Sequence, residues 1–119
     1  MKRLNQDLKT IVNGIQEKKG RNIRVMDLQH CGDTICRYLV ICEGNTPTQV
    51  NAITRSVGDE MRTKLDMRPL AVEGLRNSLW VAMDYEDIMV HIFVPEWRSF
   101  YDLDNLWEDA DTTDIPNAE

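Results

Sequence analysis

The sequence predicts an α/β domain in which helices pack on a mixed β-sheet. Three observations support this fold class. Two segments repeat apolar residues at helical spacing, short apolar runs of strand length lie around them, and two such runs flank a two-residue turn. With 119 residues and 42% hydrophobic residues, the chain has room for one hydrophobic core. The predicted order is α-β-β-α-β-β-β-α, and it leaves the order of strands in the sheet open.

Two segments have the pattern of amphipathic helices. In residues 3–18, one stripe at helical spacing is formed by Leu4, Leu8, Ile11, Val12 and Ile15. The second helix has Thr46 as its N-cap, Pro47 at its first position and Gln49 at its third, which is a capping-box pattern. Its apolar face continues to about residue 65, so we expect a long helix here.

Strands are predicted between and after these helices. A turn is expected at residues 31–33, and the strand-like segments are 23–28, 35–42, 69–72, 79–85 and 88–94. The last two form a hairpin around Glu86-Asp87. Pro95 ends the second hairpin strand, and residues 96–109 read as short helical turns. The folded domain is therefore expected to span residues 1–110, with residues 111–119 as an acidic, disordered tail.

Charge is distributed unevenly along the chain. Residues 1–70 carry 12 basic and 8 acidic side chains, a net charge of +4, whereas residues 71–119 carry 2 basic and 12 acidic ones, a net of −10. Phosphate binding would need the opposite balance, so the acidic half favours a basic protein partner. Acidic residues in a solvated tail account for part of the net charge of residues 71–119. A small basic patch (Lys18, Lys19, Arg21 and Arg24) lacks interleaved aromatic residues, and a solvated helix end is favoured over a minor RNA contact.

The cysteines and histidines give little support for a metal site. Cys31, Cys36 and Cys42 miss the spacing of zinc knuckles, so we expect reduced packing residues and no metal or cofactor. A site made of His30, Cys31 and His91 is disfavoured because two adjacent residues are poorly placed to bind one zinc ion. No apolar run approaches the ~20 residues of a membrane span, and the N-terminus has no signal core, which together predict a cytoplasmic protein.

The hairpin is expected to display two different faces. With a two-residue loop, the pairs that face the helices are Tyr85–Ile88, Met83–Val90 and Val81–Ile92. The other face carries Trp80, Ala82, Asp84, Met89, His91 and Phe93. This mixture is typical of a recognition surface. The alternative is a second core layer under the C-terminal helix, with Asp84 and His91 hydrogen-bonded to each other.

The same segment resembles the ribosomal silencing factor family, also called the Iojap family. The matching residues are Glu73-Gly74, Trp80-Val81-Ala82-Met83-Asp84-Tyr85, Asp87-Ile88-Met89-Val90-His91-Ile92-Phe93 and Arg98-Ser99-Phe100-Tyr101-Asp102-Leu103-Asp104-Asn105-Leu106-Trp107. Small departures are Asp104 in place of the usual glutamate and Ala82 in place of a larger aliphatic residue. The resemblance extends over about residues 4 to 110.

The resemblance implies a fold like that of nucleotidyltransferases without their catalytic motif. It also implies a non-enzymatic protein that binds a ribosomal protein, number fourteen of the large subunit, and blocks joining of the small subunit. Family members often form homodimers. Carried over to this chain, the implied partner-binding residues are Trp80, Asp84, Tyr85, His91, Tyr101, Leu103 and Trp107.

Two other functions are alternatives to this one. A nucleotidyltransferase needs a glycine-serine turn and clustered carboxylates, but Gly32-Asp33 and Gly44-Asn45 lack the serine, and Asp84 and Asp87 point to opposite faces if the strand continues. A plain homodimerisation module, with the aromatic C-terminal helix at the two-fold axis, is the other alternative.

Overall fold

The structure is a computed structural model that describes residues 2–29, 31, 36–107 and 110–118, with only the backbone for residues 2–5. Three α-helices and six strands lie in these ranges. The elements in chain order are α1 (Lys2–Glu17), β1 (Arg21–Asp27), β2 (Tyr38–Glu43), α2 (Pro47–Leu65), β3 (Ala71–Glu73), β4 (Trp80–Asp84), β5 (Ile88–Phe93), α3 (Pro95–Tyr101), a 3-10 helix (Leu103–Asn105) and β6 (Asp111–Ile115). Each predicted helix and strand is present within a few residues of its expected bounds.

The strands form one mixed sheet in the order β3-β4-β5-β2-β1-β6. β2 and β5 are parallel, and the other neighbouring pairs are antiparallel. The α/β class with a mixed sheet is therefore confirmed. None of the helices in the described ranges is long and apolar enough to cross a membrane.

α1 and α2 pack together on one face of the sheet, where the main core lies. Gln49 N–H donates to the Thr46 hydroxyl at 3.1 Å, which confirms the predicted N-cap. The Gln49 carboxamide accepts from Asn45 N–H at 2.7 Å and donates to the carbonyls of Lys18 and Lys19, each at 3.1 Å. One side chain thus joins the start of α2 to the end of α1.

The hairpin has the predicted register. Val81 pairs with Ile92 and Met83 with Val90, and the Tyr85 N–H donates to the Ile88 carbonyl at 2.9 Å. These inward-facing side chains are buried in the main core together with residues of α1 and α2. The loop has two residues, as expected, and Glu86 has a φ of 73°.

The prediction of a disordered tail is wrong for residues 111–115. They form β6, which pairs with β1 along its length, from Ile23 opposite Ile115 to Asp27 opposite Asp111. Four of its five side chains are exposed, so burial gave no sequence signal for this strand. The predicted turn at Gly32-Asp33 and the start of the predicted second strand at Ile35 lie outside the described residues, as do Glu108, Asp109 and Glu119 of the acidic segment.

Candidate protein-docking surface

A second, smaller core lies on the sheet face opposite α1 and α2. Its buried members are Met26, Leu28, Cys36, Leu39, Ile41 and Phe93. Side chains from the C-terminal segment pack against it, including the partly buried Leu103 and Trp107. Part of the second hairpin face is therefore a covered core layer. The remainder, around Trp80, continues into an exposed surface.

Trp80 is the centre of an aromatic cluster at this boundary. Its indole N–H donates to His91 Nδ1 at 2.9 Å, and its ring stacks on Phe93 with centroids 5.0 Å apart. From the outside, the ring of Tyr101 lies on Trp80 with centroids 4.6 Å apart. The pair of Asp84 and His91 that belonged to the alternative of a second core layer is not found, and Asp84 accepts from the Glu86 N–H at 2.8 Å.

His91 is held in its neutral form by this environment. Burial lowers the pKa of His91 to about 4. Because Nδ1 accepts the hydrogen bond from Trp80, the ring proton of neutral His91 must reside on Nε2. His91 therefore acts at neutral pH as an uncharged hydrogen-bond acceptor that orients the Trp80 indole.

α3 displays an aromatic surface to solvent. Trp97 is 36% exposed, Phe100 80% and Tyr101 43%. Together with Glu96 they line a shallow depression of about 430 Å³. The three rings contact one another through Tyr101, at 5.6 Å from Trp97 and 5.1 Å from Phe100 between centroids. Exposed aromatic side chains that are next to each other and rest on a rigid sheet are typical anchors of protein interfaces.

The predicted partner-binding residues have different locations. The structure brings Trp80, His91 and Tyr101 together in the aromatic cluster. Leu103 and Trp107 pack on the second core beside it, and Asp84 lies at the far end of β4.

Tyr85 lies on the opposite side of the sheet, in the main core, and is 5% exposed. Burial raises the pKa of Tyr85 to about 12. No hydrogen bond to its hydroxyl is found among the described residues. Tyr85 is thus not part of the exposed aromatic surface.

Two residues of this surface, Trp97 and Phe100, are absent from the predicted set. Their positions relative to Tyr101 contain the signal that could have identified them. Trp97, Phe100 and Tyr101 have the i, i+3, i+4 spacing of one helix face, directly after the helix-starting Pro95. A short helix whose aromatic residues all lie on one face needs either a core or a partner to cover them.

The structure also alters the predicted basic patch. The Arg24 guanidinium binds the Asp114 carboxylate in a fork, from Nε at 2.7 Å and from Nη2 at 3.2 Å. The charge of Arg24 is therefore paired with a carboxylate within the fold, whereas Lys18, Lys19 and Arg21 remain exposed.

Potential metal-binding side chains do not cluster in the described ranges. No group of three or more His, Cys, Asp or Glu side chains there could hold a metal ion. His30, from the disfavoured metal-site hypothesis, lies outside the described residues. Cys36 and Cys42 are buried and form no disulfide within the described residues, and burial raises the pKa of Cys42 far above its usual range. These two cysteines pack as small apolar side chains, as the sequence predicted.

The fold and this surface define a class: small α/β domains that present an exposed aromatic surface of the kind that protein partners bind. Comparison with known proteins assigns the family. The model of the family described as "Ribosomal silencing factor during starvation" matches residues 1–119, and the chain belongs to this family. The family resemblance of the hairpin and the segment after it is thus confirmed.

Several relatives extend this match. The chain is 32% identical to the ribosomal silencing factor of Bacillus subtilis, over 91% of this chain and 90% of the relative. It is 26% identical to the chloroplastic Iojap protein of Zea mays, over 90% of this chain and 46% of that longer protein. Among solved structures, a protein from Bacillus halodurans superposes with a TM-score of 0.79 at 26% identity, over 93% of this chain and 99% of the other. A Chromobacterium violaceum protein has the same fold, with a TM-score of 0.82 at 22% identity and coverage of 97% and 95%.

Proposed function

We propose that this protein is a non-catalytic, cytoplasmic silencing factor that docks on the large ribosomal subunit through the aromatic surface of α3 and β4. Its partner there is a basic protein, number fourteen of that subunit, and the bound factor obstructs joining of the small subunit. The observation that carries this proposal is the exposed cluster of Trp97, Phe100 and Tyr101 seated on Trp80. Membership of the silencing factor family supplies the ribosomal context.

The mechanism is steric, so the surface needs affinity and rigidity rather than reactive groups. Tyr101 and Trp80 supply rigid rings whose ordering costs little conformational entropy, and the sheet beneath fixes their positions. An interface of standard size, about 1,600 Å², reaches useful affinity when a few such anchors are fully desolvated. A bound protein of this size, with extents of 35 × 34 × 29 Å, would be large enough to separate two joining surfaces.

Electrostatics favour a basic partner at this surface. Glu96 and Asp102 are exposed beside the aromatic rings, and the chain from residue 71 onward has a net charge of −10, from 2 basic and 12 acidic residues. Such a field accelerates encounter with a basic protein and makes association depend on salt. A minor contact of Lys18, Lys19 and Arg21 with ribosomal RNA is compatible with their exposure.

The direct test is co-sedimentation of the purified protein with isolated large and small subunits, at low and at physiological salt. We expect binding to the large subunit alone, weaker at the higher salt. Adding both subunits should yield fewer joined ribosomes when the protein is present. Absence of binding at both salt concentrations would contradict the proposal.

Replacing Phe100 with alanine is expected to weaken binding to the large subunit about tenfold, equivalent to about 1.4 kcal/mol. Its ring is 80% exposed, so the free energy of unfolding should change by less than about 0.5 kcal/mol. Leu70→Ala is the matched control, because Leu70 is 70% exposed and is hydrogen-bonded through its backbone to Asp84, at the far end of β4 from Trp80. Equal loss of binding in both variants would mean that the aromatic surface is not the docking site.

A homodimer is a second use for the same surface, because its exposed rings could pack against those of another copy. Sedimentation velocity over a range of concentrations tests this, with Phe100→Ala expected to remove any dimer. Substitution of Trp107 is less informative, since that side chain packs on the second core and its loss would disturb the fold.

A further inference from the structure

α3 carries the docking residues but buries almost nothing of its own. It has seven residues, none of them buried, and an isolated helix of this length is not stable in water. Among its side chains only that of Arg98 is largely shielded from solvent, with 11% of it accessible. The position of α3 therefore depends on Arg98 and on the tilted ring contact of Tyr101 with Trp80.

Arg98 is held by partners from three other parts of the chain. Its guanidinium binds the Asp104 carboxylate in a fork, from Nε at 3.1 Å and Nη2 at 2.8 Å. Its Nη1 donates to Glu43 at 3.1 Å, at the end of β2, and to the backbone carbonyl of Asn22 in β1. A planar guanidinium that is bound on several sides fixes both the position and the rotation of the helix that carries it.

The same ionic cluster extends to the C-terminal strand. Asp104 is also 3.5 Å from Arg24 Nη1, and Arg24 makes its own fork with Asp114 of β6. Beyond β6, the side-chain oxygen of Asn117 accepts from the Asn22 N–H at 2.8 Å. The contacts thus run from β6 through Arg24, Asp104 and Arg98 to α3.

Exposure differs along this path. The side chains of Arg98 and Asp104 are 11% and 16% exposed, whereas those of Arg24 and Asp114 are 31% and 68% exposed. The inner pair is well shielded from water and salt, so it should dominate, and the outer pair should contribute less.

We propose that β6 and the cluster of Arg24, Asp104 and Arg98 act as a clamp that holds α3 in its docking orientation. Arg98, Asp104 and Asp114 are positioning residues: they fix the aromatic surface without contacting the partner. This inference rests on the proposed function, because it concerns the affinity of that same surface. It also gives the C-terminal strand, which has little buried surface, a role in recognition.

The effect on affinity follows from the population of oriented α3. If the clamp is loosened, α3 spends part of its time in orientations that do not fit the partner. The observed affinity then falls in proportion to the fraction that remains oriented, so a tenfold drop in that fraction gives about a tenfold weaker complex.

The test uses the full-length protein and four variants that differ in their place on this path. Asp104→Asn removes the shared charge, and Asp104→Glu keeps a carboxylate. Asp114→Asn weakens only the outer pair, and Asp111→Asn makes the same change on β6 at a site where no side-chain bond is found among the described residues. Each is measured for affinity to the large subunit, for thermal unfolding and for the near-ultraviolet circular dichroism of the free protein. That spectrum reports on the packing of Tyr101 against Trp80 and Trp97.

We expect Asp104→Asn to bind about tenfold more weakly, Asp114→Asn about threefold more weakly, and Asp104→Glu and Asp111→Asn to bind like the unaltered protein. The near-ultraviolet spectrum should change in step with affinity. Wild-type affinity and spectrum in a folded Asp104→Asn protein would overturn the clamp. So would weaker binding with an unchanged spectrum, since Asp104 would then contact the partner directly.

Two further outcomes are also decisive. If Asp104→Asn does not fold, Asp114→Asn carries the test, and an unchanged affinity and spectrum there would overturn the role of β6. If the unaltered protein does not bind the large subunit, the proposed function fails. The clamp is then judged by the spectra of the free proteins alone: a changed spectrum in Asp114→Asn but not in Asp111→Asn supports it, and two unchanged spectra overturn it.

Discussion

Replacing Gly14 with alanine is expected to lower the free energy of unfolding by about 3 kcal/mol, the upper range for overpacking a well-packed contact. Gly14 lies where α1 crosses α2. An added Cβ would be 2.8 Å from Val57 Cα, 3.1 Å from Val57 N and 3.2 Å from the Ser56 carbonyl oxygen. All three are backbone atoms, so relief requires the helices to separate. Separation would also strain the hydrogen bond of 2.7 Å from the Ser56 hydroxyl to the Gly14 carbonyl.

Gly58 provides a matched control on the same pair of helices. A Cβ there would meet only Met83 Cε, at 4.0 Å, which is an ordinary contact. Gly58→Ala should therefore raise the free energy of unfolding by about 0.5–1 kcal/mol, the gain in helix propensity. Urea unfolding of both variants measures the difference. A Gly14→Ala protein as stable as Gly58→Ala would show that the two helices do not approach as closely as described.

The elements that could be predicted from the sequence are those whose local pattern and long-range contacts agree. The hairpin register is one example, because alternation and a two-residue loop together allow only the pairing of Val81 with Ile92 and of Met83 with Val90. The N-cap at Thr46 is another, because capping depends on neighbours in sequence. The parallel pairing of β2 with β5 brings distant segments together, and no local pattern specifies it.

β6 shows why the sequence alone indicates a disordered acidic end. Its sequence, Asp-Thr-Thr-Asp-Ile, is polar and mostly exposed, which is the composition expected of a solvated tail. What favours a strand is the neighbouring β1 and the fork between Arg24 and Asp114, residues 90 positions apart. Such a pair cannot be recognised from composition or periodicity.

The candidate site was predicted in part. Trp80 and His91 were placed on the correct face by strand alternation, and the structure joins them by a hydrogen bond. Tyr85 entered the set only through the family resemblance. Strand alternation instead places it on the apolar face, where it is buried. Phe100 is the opposite case: the motif contains it, but its exposure depends on how α3 lies on the sheet.

The protein is expected to lose about 3 kcal/mol of stability between pH 7 and pH 4 because of His91 alone. Burial lowers the pKa of His91 to about 4, whereas an unfolded histidine titrates near 6.5. Between these values the unfolded chain binds a proton that the folded protein does not, so the free energy of unfolding falls as the pH falls. The stabilising contribution of neutral His91 is complete above the pKa of the unfolded histidine and absent below the pKa of the folded one.

The carboxylates of the clamp act in a different pH range. Burial raises the pKa of the Asp104 carboxyl, but its hydrogen bond with Arg98 and the charges of Arg98 and Arg24 outweigh this and leave it below its ordinary value. The hydrogen bond from Arg24 likewise lowers the pKa of Asp114. Their contributions persist above the unfolded pKa of about 4 and are lost below it. Because the unfolded carboxyls begin to titrate near pH 4 as well, the contribution of the histidine is the difference between the unaltered protein and a His91→Gln variant.

Two measurements check this assignment. Nuclear magnetic resonance titration of the two histidines should show the His91 ring taking up its proton near pH 4. In His91→Gln, whose amide oxygen can still accept from the Trp80 indole, the stability lost between pH 7 and pH 4 should be smaller by about 3 kcal/mol. If His91 titrates near 6.5, or if His91→Gln keeps the full pH dependence, the ring is solvated in the folded protein. Trp80 would then have to be held in place by Phe93 and Tyr101 rather than by a partly buried, neutral imidazole.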